Sequence, residues 1–121
     1  MFEPQQIVDR YIAIWHEPDA ARRRVAVAEL WRPDGACLSA SIEAHGYDEL
    51  EARVARAYQR WVADEECIFR PRTEVVSHHD ALAFSWEMVP RAGGEAISIG
   101  RDFFVVDDDG RVRVVYQFVE A

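Results

Sequence analysis

Residues 100–112 have the sequence Gly100-Arg101-Asp102-Phe103-Phe104-Val105-Val106-Asp107-Asp108-Asp109-Gly110-Arg111-Val112. Two runs rich in β-branched and aromatic residues flank the turn sequence, and Gly110 supplies the positive φ angle that a tight turn requires. The pattern therefore predicts a β-hairpin. Its first strand carries one acid, Asp102, within an otherwise apolar run.

The position of Asp102 in this strand points to a pocket. Side chains alternate between the two faces of a strand, which places Asp102 on the same face as Phe104 and Val106. An unpaired ionised carboxylate is strongly disfavoured in apolar surroundings. This face is therefore either a core with a costly buried acid or the wall of a pocket, and we favour the pocket. The opposite face, with Phe103 and Val105, is apolar as well.

The composition describes one folded domain over residues 1–121. Half of the residues are hydrophobic, which excludes wholesale disorder. The chain has no apolar run of about eighteen residues and no signal-peptide pattern at its start, so we expect a cytoplasmic protein that does not bind membranes. The net charge of −8 would repel phosphate backbones, and we expect no nucleic-acid partner.

The residues that commonly bind metals do not form a ligand set. Cys37 and Cys67 are far apart in the sequence and are predicted to be reduced, partly buried thiols. His78-His79-Asp80 has the composition of a surface turn, since neighbouring strand residues point to opposite faces and no second ligand group has a suitable spacing. We expect neither a metal nor another cofactor.

Two helices are predicted at the start of the chain. Pro4 suits a first helical turn, and apolar residues recur at three- and four-residue spacing, so the first helix ends near His16. Asp19 is a good N-cap for a second helix, which Pro33-Asp34-Gly35 ends. The predicted inner residues of these two helices are Ile7, Val8, Tyr11, Ile14, Trp15, Val27, Leu30 and Trp31.

The rest of the chain changes from helical to β periodicity. After a short strand over 36–42, Gly46 and Asp48 introduce the longest helix, whose inner stripe extends from Leu50 to Trp61. Helices followed by strands predict an α+β domain, in which the N-terminal helices cover one face of a curved antiparallel sheet. The predicted strands are 67–70 extending towards Val76, then 81–89, 97–106 and 111–119.

Three segments resemble a known family. They are Asp9-Arg10-Tyr11-Ile12-Ala13-Ile14-Trp15 followed by Glu17-Pro18-Asp19, then Leu30-Trp31-Arg32-Pro33-Asp34-Gly35, and finally residues 100–112. In this order and spacing they resemble the nuclear-transport-factor-2-like (NTF2-like, SnoaL-like) superfamily, which includes ketosteroid isomerases and polyketide cyclases. The resemblance covers nearly the whole chain and implies a cone-shaped α+β fold. The fold hosts several functions and does not assign one.

The resemblance also implies a site. Asp102 corresponds to the protonated aspartic acid in the oxyanion hole of the ketosteroid isomerases, and Tyr11 corresponds to their phenol. Their catalytic base is missing, because Ser39 or Ala40 stands at its position and neither can abstract a proton from carbon. Steroid isomerase activity is therefore not expected. The polyketide cyclases are thought to use a single pocket aspartate as acid and base, and Asp102 resembles that residue in position.

We therefore expect Asp102 and Tyr11 to be catalytic, with the two side chains within about 2.6–3.2 Å of each other or of one common point. The predicted ligand is a hydrophobic, aromatic or polycyclic molecule, and the predicted chemistry is of the isomerase or cyclase type, with Asp102 either as acid/base or as an oxyanion donor. The residues predicted to bind this ligand are Trp15, Trp31, Ser39, Trp61, Phe84, Trp86, Met88, Phe104 and Tyr116.

Several alternatives remain open at this point. Asp102 is also consistent with a buried acid that only orients a helix on the sheet, and Tyr11 with a core tyrosine. The whole chain is also consistent with a non-catalytic ligand-binding or dimerisation module. Either face of the last strand, Val114/Tyr116/Phe118 or Val115/Gln117/Val119, is compatible with a pocket. Because Phe103 and Val105 leave the convex face apolar, we predict a homodimer.

Overall fold

The computed structural model describes residues 2–120 as helices packed on a curved, unclosed sheet. The helices are α1 (Pro4–His16), α2 (Ala20–Leu30) and α3 (Gly46–Ala57), which continues as a π-helix over Tyr58–Asp64. The strands are β1 (Trp31–Leu38), β2 (Glu43–His45), β3 (Cys67–Pro71), β4 (Val76–His78), β5 (Ala81–Pro90), β6 (Ser98–Val106) and β7 (Val112–Val119). The α+β class predicted from the sequence is confirmed.

The first two helices form for the reasons that the sequence indicates. Pro4 lies in the first turn of α1, where a missing N–H costs nothing, and the predicted inner stripe of α1 is buried. Asp19 caps α2, since its carboxylate accepts a hydrogen bond from the backbone N–H of Arg22 at 2.9 Å. None of the helices within residues 2–120 is long and apolar enough to cross a membrane.

The end of α2 differs from the prediction. Trp31 does not belong to the helix but begins β1, and Pro33-Asp34-Gly35 lies inside that strand. The pairing of β1 with β7 shifts register between Trp31 and Ala36, and this irregularity accommodates a proline that has no N–H to donate. The indole of Trp31 donates to the carbonyl of Ala36 at 3.2 Å across the same segment. Local helix-stop signals therefore coincide here with a strand irregularity.

The sheet is mixed rather than wholly antiparallel. Its strand order is β2-β1-β7-β6-β5-β3, with β4 also pairing with β5. All pairs are antiparallel except β1 with β7, which is parallel. A parallel pair needs a long crossover connection, and α3 together with strands β2 to β6 supplies it. The sequence did not predict β2, which forms a hairpin with β1 around residues 39–42.

The faces of β6 and β7 decide which side chains reach the interior. Asp102, Phe104 and Val106 are buried, whereas Arg101 and Phe103 are exposed, as the alternation predicts. On β7, Tyr116 and Phe118 lie on the outer face, so that Gln117 points towards the helices.

Both cysteines, Cys37 and Cys67, are free and buried, and burial raises the pKa of the Cys37 thiol to about 12.

Gly100 leaves the space that the Trp86 indole occupies. A Cβ atom at residue 100 would lie 2.5 Å from Trp86 Cε2 and 3.0 Å from the carbonyl oxygen of Phe118. We therefore predict that Gly100→Ala lowers the free energy of unfolding by about 1–3 kcal/mol, as overpacking of a filled site does. Urea denaturation measures this loss.

The neighbouring variant Arg101→Ala is the control for Gly100→Ala. Arg101 is exposed on the opposite face of the strand, and its replacement should change the free energy of unfolding by no more than about 0.5 kcal/mol. Equal stability of the Gly100→Ala variant and the unmodified chain would contradict the steric argument.

Candidate functional site

A cavity of about 370 Å³ lies between the helices and the concave face of the sheet. Its walls are mainly aromatic and aliphatic, and its polar groups come from Tyr11, Arg53, Ser98, Asp102 and Gln117. Two further lining residues, Ile97 and Val119, are exposed by 50% and 63%. The cavity therefore opens beside the start of β6 and the end of β7. A pocket of this size, apolar with few polar groups, is typical of a small-molecule site.

Asp102 lies at the inner end of this cavity, with 1% of its surface exposed. Strand register places it beside Phe84 of β5 and Gln117 of β7. The Tyr11 hydroxyl donates to Asp102 Oδ2 at 2.6 Å, and the Trp86 indole N–H donates to Asp102 Oδ1 at 2.9 Å. Each carboxyl oxygen therefore has a donor, and a helix and a neighbouring strand together fix the orientation of the group.

The hydrogen bonds continue from Asp102 to α3. The Gln117 side-chain amide donates to the Tyr11 hydroxyl oxygen at 3.0 Å, and Arg53 Nη2 donates to Gln117 Oε1 at 3.1 Å. The resulting chain joins Arg53, Gln117, Tyr11 and Asp102, with every donor directed towards the carboxyl. We call these four residues the polar chain.

Burial dominates the ionisation of the acid. It raises the pKa of Asp102 above its usual value of 3.8, although hydrogen bonds from Tyr11, Trp86 and Gln117 and the charge of Arg53 act in the opposite direction. The pKa of Tyr11 is also raised well above 10.0, first by burial and then by the nearby Asp102 charge. The phenol therefore remains protonated and acts as a donor, while the Asp102 pKa moves towards the range useful for proton transfer.

Six of the sequence-predicted site residues line the cavity. Tyr11 and Asp102 lie within the predicted distance of each other. The other four are Trp15, Trp61, Trp86 and Met88. Trp86 also holds the carboxyl directly, a contact that its predicted role as a wall did not include.

Five predicted ligand-binding residues do not line the cavity. Trp31, Phe84 and Phe104 are core residues with at most 2% of their surface exposed. The rings of Phe84 and Phe104 both pack edge-on against the Tyr11 ring and are tilted against each other. Ser39 lies in the β1–β2 turn, where its hydroxyl accepts from the backbone N–H of Ile42 at 3.2 Å. Tyr116 lies on the outer face of the sheet. Aromatic composition alone did not separate pocket walls from core.

Three polar lining residues were missed by the sequence reasoning; one is Ser98, the first residue of β6, and a sequence signal exists for the other two. Arg53 follows Leu50 by three residues and precedes Ala57 by four, so it lies on the buried stripe of α3. Gln117 follows Val115 by two residues in β7, so both side chains lie on the inner face of that strand. A polar residue on an otherwise apolar face is the same signal that singled out Asp102, and it would have found both.

The cavity holds one acid and no metal-binding group. Among its described lining residues, Asp102 is the sole carboxyl. Within residues 2–120, no group of three or more His, Cys, Asp or Glu side chains is placed to hold a metal ion. Chemistry that needs two carboxylates, one as base and one as oxyanion donor, does not fit these residues.

Solved structures are similar to this chain in fold. A presumed isomerase of the SnoaL-like family from Agrobacterium tumefaciens is 23% identical, with a TM-score of 0.87 and coverage of 98% of this chain and 97% of that chain. A presumed polyketide cyclase from Sinorhizobium meliloti is 16% identical, with a TM-score of 0.69 and coverage of 96% and 99%.

A SnoaL-like protein of unknown function from Burkholderia thailandensis is 17% identical, with a TM-score of 0.71 and coverage of 98% and 95%. No protein-family model matches the chain, and no curated protein sequence shows significant similarity to it. At these identities the likeness establishes the fold, and the chemistry has to be argued from the site. The chain has the NTF2-like fold of the SnoaL-like proteins, as its sequence predicts.

Proposed function

We propose that this protein binds a hydrophobic, aromatic or polycyclic small molecule in the cavity and that Asp102 transfers a proton on it, in an isomerase- or cyclase-type reaction. The observation that carries the proposal is the position of Asp102 at the inner end of an apolar cavity, with its orientation fixed by Tyr11 and Trp86 and its pKa raised by burial. Perturbed acids in clefts are typical of catalytic sites. The similar solved structures of a presumed SnoaL-like isomerase and a presumed polyketide cyclase are compatible with this class.

The proposed chemistry uses one group as both base and acid. Ionised Asp102 takes a proton from a carbon next to a carbonyl of the ligand, so that the C–H bond breaks and the electron pair moves towards the carbonyl oxygen. Neutral Asp102 then returns the proton to another atom of the ligand. A single carboxyl can serve in both steps because the first step leaves it protonated for the second.

Tyr11 acts in this proposal as a positioning residue. A phenol has one hydrogen to donate, and in the structure that hydrogen is directed at Asp102 Oδ2. This favours the acid/base role of Asp102 over an oxyanion hole in which both residues donate to the ligand. Phe84 and Phe104 hold the Tyr11 ring, with ring centroids 6.2 and 4.7 Å away.

We also propose that the chain forms a homodimer through the outer face of the sheet. Phe103 and Tyr116 are register partners, and both are 41% exposed, while Phe118 next to them is 57% exposed. No element within residues 2–120 covers these side chains. A second copy suits the face because an isologous two-fold contact places the same apolar residues on both sides.

The proton-transfer role of Asp102 predicts loss of base catalysis in the Asp102→Asn variant. Ring opening of nitrobenzisoxazole is a suitable probe, because a base removes the ring C–H proton, the C≡N bond forms and the N–O bond breaks to give a coloured phenolate. We expect the unmodified protein to accelerate this reaction and Asp102→Asn to lower the rate by about 100-fold or more.

The control for this loss is Asp108→Asn, which removes an exposed acid in the β6–β7 turn with the same change of charge. It should keep the rate of the unmodified protein. An Asp102→Asn variant that is folded and fully active would show that Asp102 is not the base.

The Tyr11→Phe variant should shift the pH dependence of the same reaction. The hydrogen bond from Tyr11 lowers the Asp102 pKa, so its removal raises that pKa further. Because the ionised form is the base, the rate rises with pH through the Asp102 pKa, and the midpoint of this rise should move to higher pH in Tyr11→Phe. Rate measurements across the pH range test this shift.

Tyr47→Phe is the matched control, since the Tyr47 hydroxyl donates to the carbonyls of Ala28 and Trp31 outside the cavity. Its midpoint should equal that of the unmodified protein. An unchanged midpoint in Tyr11→Phe would mean that the hydroxyl does not influence the acid.

The double variant Tyr11→Phe/Asp102→Asn should show non-additive effects on the rate of the same reaction, since the two side chains are in contact.

The homodimer predicts a sedimenting mass of about twice 13.9 kDa at micromolar concentration. Phe103→Glu places a charge in the contact and should give the monomer mass. Val25→Glu is the control, because Val25 is 57% exposed on α2 and lies outside the proposed contact. A monomer in the unmodified protein would contradict the proposal, as would a dimer that survives Phe103→Glu.

A further inference from the structure

Arg53 brings an unneutralised positive charge to the cavity. It is the only basic residue among the described lining residues. No carboxylate of residues 2–120 forms a salt bridge with it within 4.0 Å, whereas Arg23 of α2 pairs with Glu51 of α3 at 3.3 Å. The hydrogen bond of Arg53 to the Gln117 side chain goes to a neutral amide oxygen. Asp102 acts on this guanidinium only through the cavity, and no carboxylate of the described chain is in direct contact with it.

The surroundings of Arg53 are also short of hydrogen-bond acceptors. Arg53 Nε and Trp15 Nε1 are both buried, and neither has an acceptor in the part of the chain that the structure describes. The two side chains are neighbours, with Arg53 Cζ 5.4 Å from the centroid of the Trp15 ring. Buried donors without partners are rare in folded proteins, and these two, on adjacent lining residues, are available to an acceptor from outside the chain, either a ligand or a water molecule.

We infer that the ligand of this cavity is a hydrophobic monocarboxylate whose carboxylate pairs with Arg53. This inference rests on the proposed function of the cavity as a ligand site and adds the charge of the ligand. The planar guanidinium matches the geometry of a carboxylate and can donate two parallel hydrogen bonds to it. A single arginine in a chain of net charge −8 suits one negative charge and disfavours a polyanion such as a diphosphate.

The positions of Arg53 and Asp102 orient such a ligand. Both line the cavity, and the polar chain separates them through Gln117 and Tyr11. A carboxylate at Arg53 therefore leaves another part of the ligand at Asp102. The apolar body would lie against Trp61, Phe69 and Met88.

A matched pair of probes tests the inference by isothermal titration calorimetry. We use 2-naphthoate, which carries a carboxylate, and 2-naphthamide, which has nearly the same shape and no charge. The unmodified protein should bind the carboxylate about tenfold or more tightly than the amide, since charge-assisted hydrogen bonds are about twice as strong as neutral ones. In Arg53→Gln this preference should disappear, while the affinity for the amide should stay within about threefold.

Two further variants complete the experiment. Arg53→Lys keeps the charge and should retain part of the preference, which separates charge from the loss of the side chain. Arg56→Gln removes an exposed arginine from the same helix and should keep the full preference. Binding of the amide to Arg53→Gln shows that this variant is folded and that its cavity is intact.

The outcomes distinguish the two proposals. Equal binding of both probes to the unmodified protein overturns the inference about charge and leaves the apolar ligand site standing. A preference that survives in Arg53→Gln overturns it as well, because the charge is then read elsewhere. Binding of neither probe overturns the proposed function of the cavity and the inference that rests on it.

Discussion

The hydrogen bond between the Tyr11 hydroxyl and Asp102 is the interaction on which the rest of the structure depends. A carboxyl with 1% of its surface exposed is costly to bury unless its oxygens have donors, and the donors come from α1 and β5. The bond therefore fixes where the first helix of the chain lies on the sixth strand of the sheet. Phe104, on the same strand as Asp102, packs against the Tyr11 ring at a centroid distance of 4.7 Å and so also holds α1 against β6.

A second constraint follows from the Trp86 indole. Its N–H reaches Asp102 only because residue 100 has no side chain, and that glycine lies on the strand that carries the acid. One strand thus supplies both the acid and the space for one of its donors. The substitution at Gly100 therefore affects stability and site geometry together. In this part of the molecule the same residues determine both the stability of the fold and the geometry of the site.

How much the sequence predicts depends on the range of the interactions involved. The alternation in residues 100–106 and the inner stripe of α1 are local patterns, and they predicted the buried faces of β6 and α1. The cap at Asp19 followed from the residue type, whereas the approach of Tyr11 to Asp102 was implied by the resemblance to the NTF2-like family and by no local pattern. Trp31 shows the limit, because its strand is set by parallel pairing with β7, which no local pattern encodes. Phe84 shows a second limit, since an aromatic ring suits a core and a pocket wall equally. Its assignment depends on the depth of the cavity, which is a tertiary property.

The polar chain also couples the two ends of the proposed ligand. The charge of Arg53 lowers the pKa of Asp102, which burial raises. A carboxylate bound at Arg53 would cancel that positive charge and so let the Asp102 pKa rise. Binding of the proposed ligand and protonation of Asp102 are then linked: each favours the other, by the reciprocity that holds for any two coupled equilibria. The acid that receives a proton from the ligand is thereby made a better acceptor by the ligand's own charge.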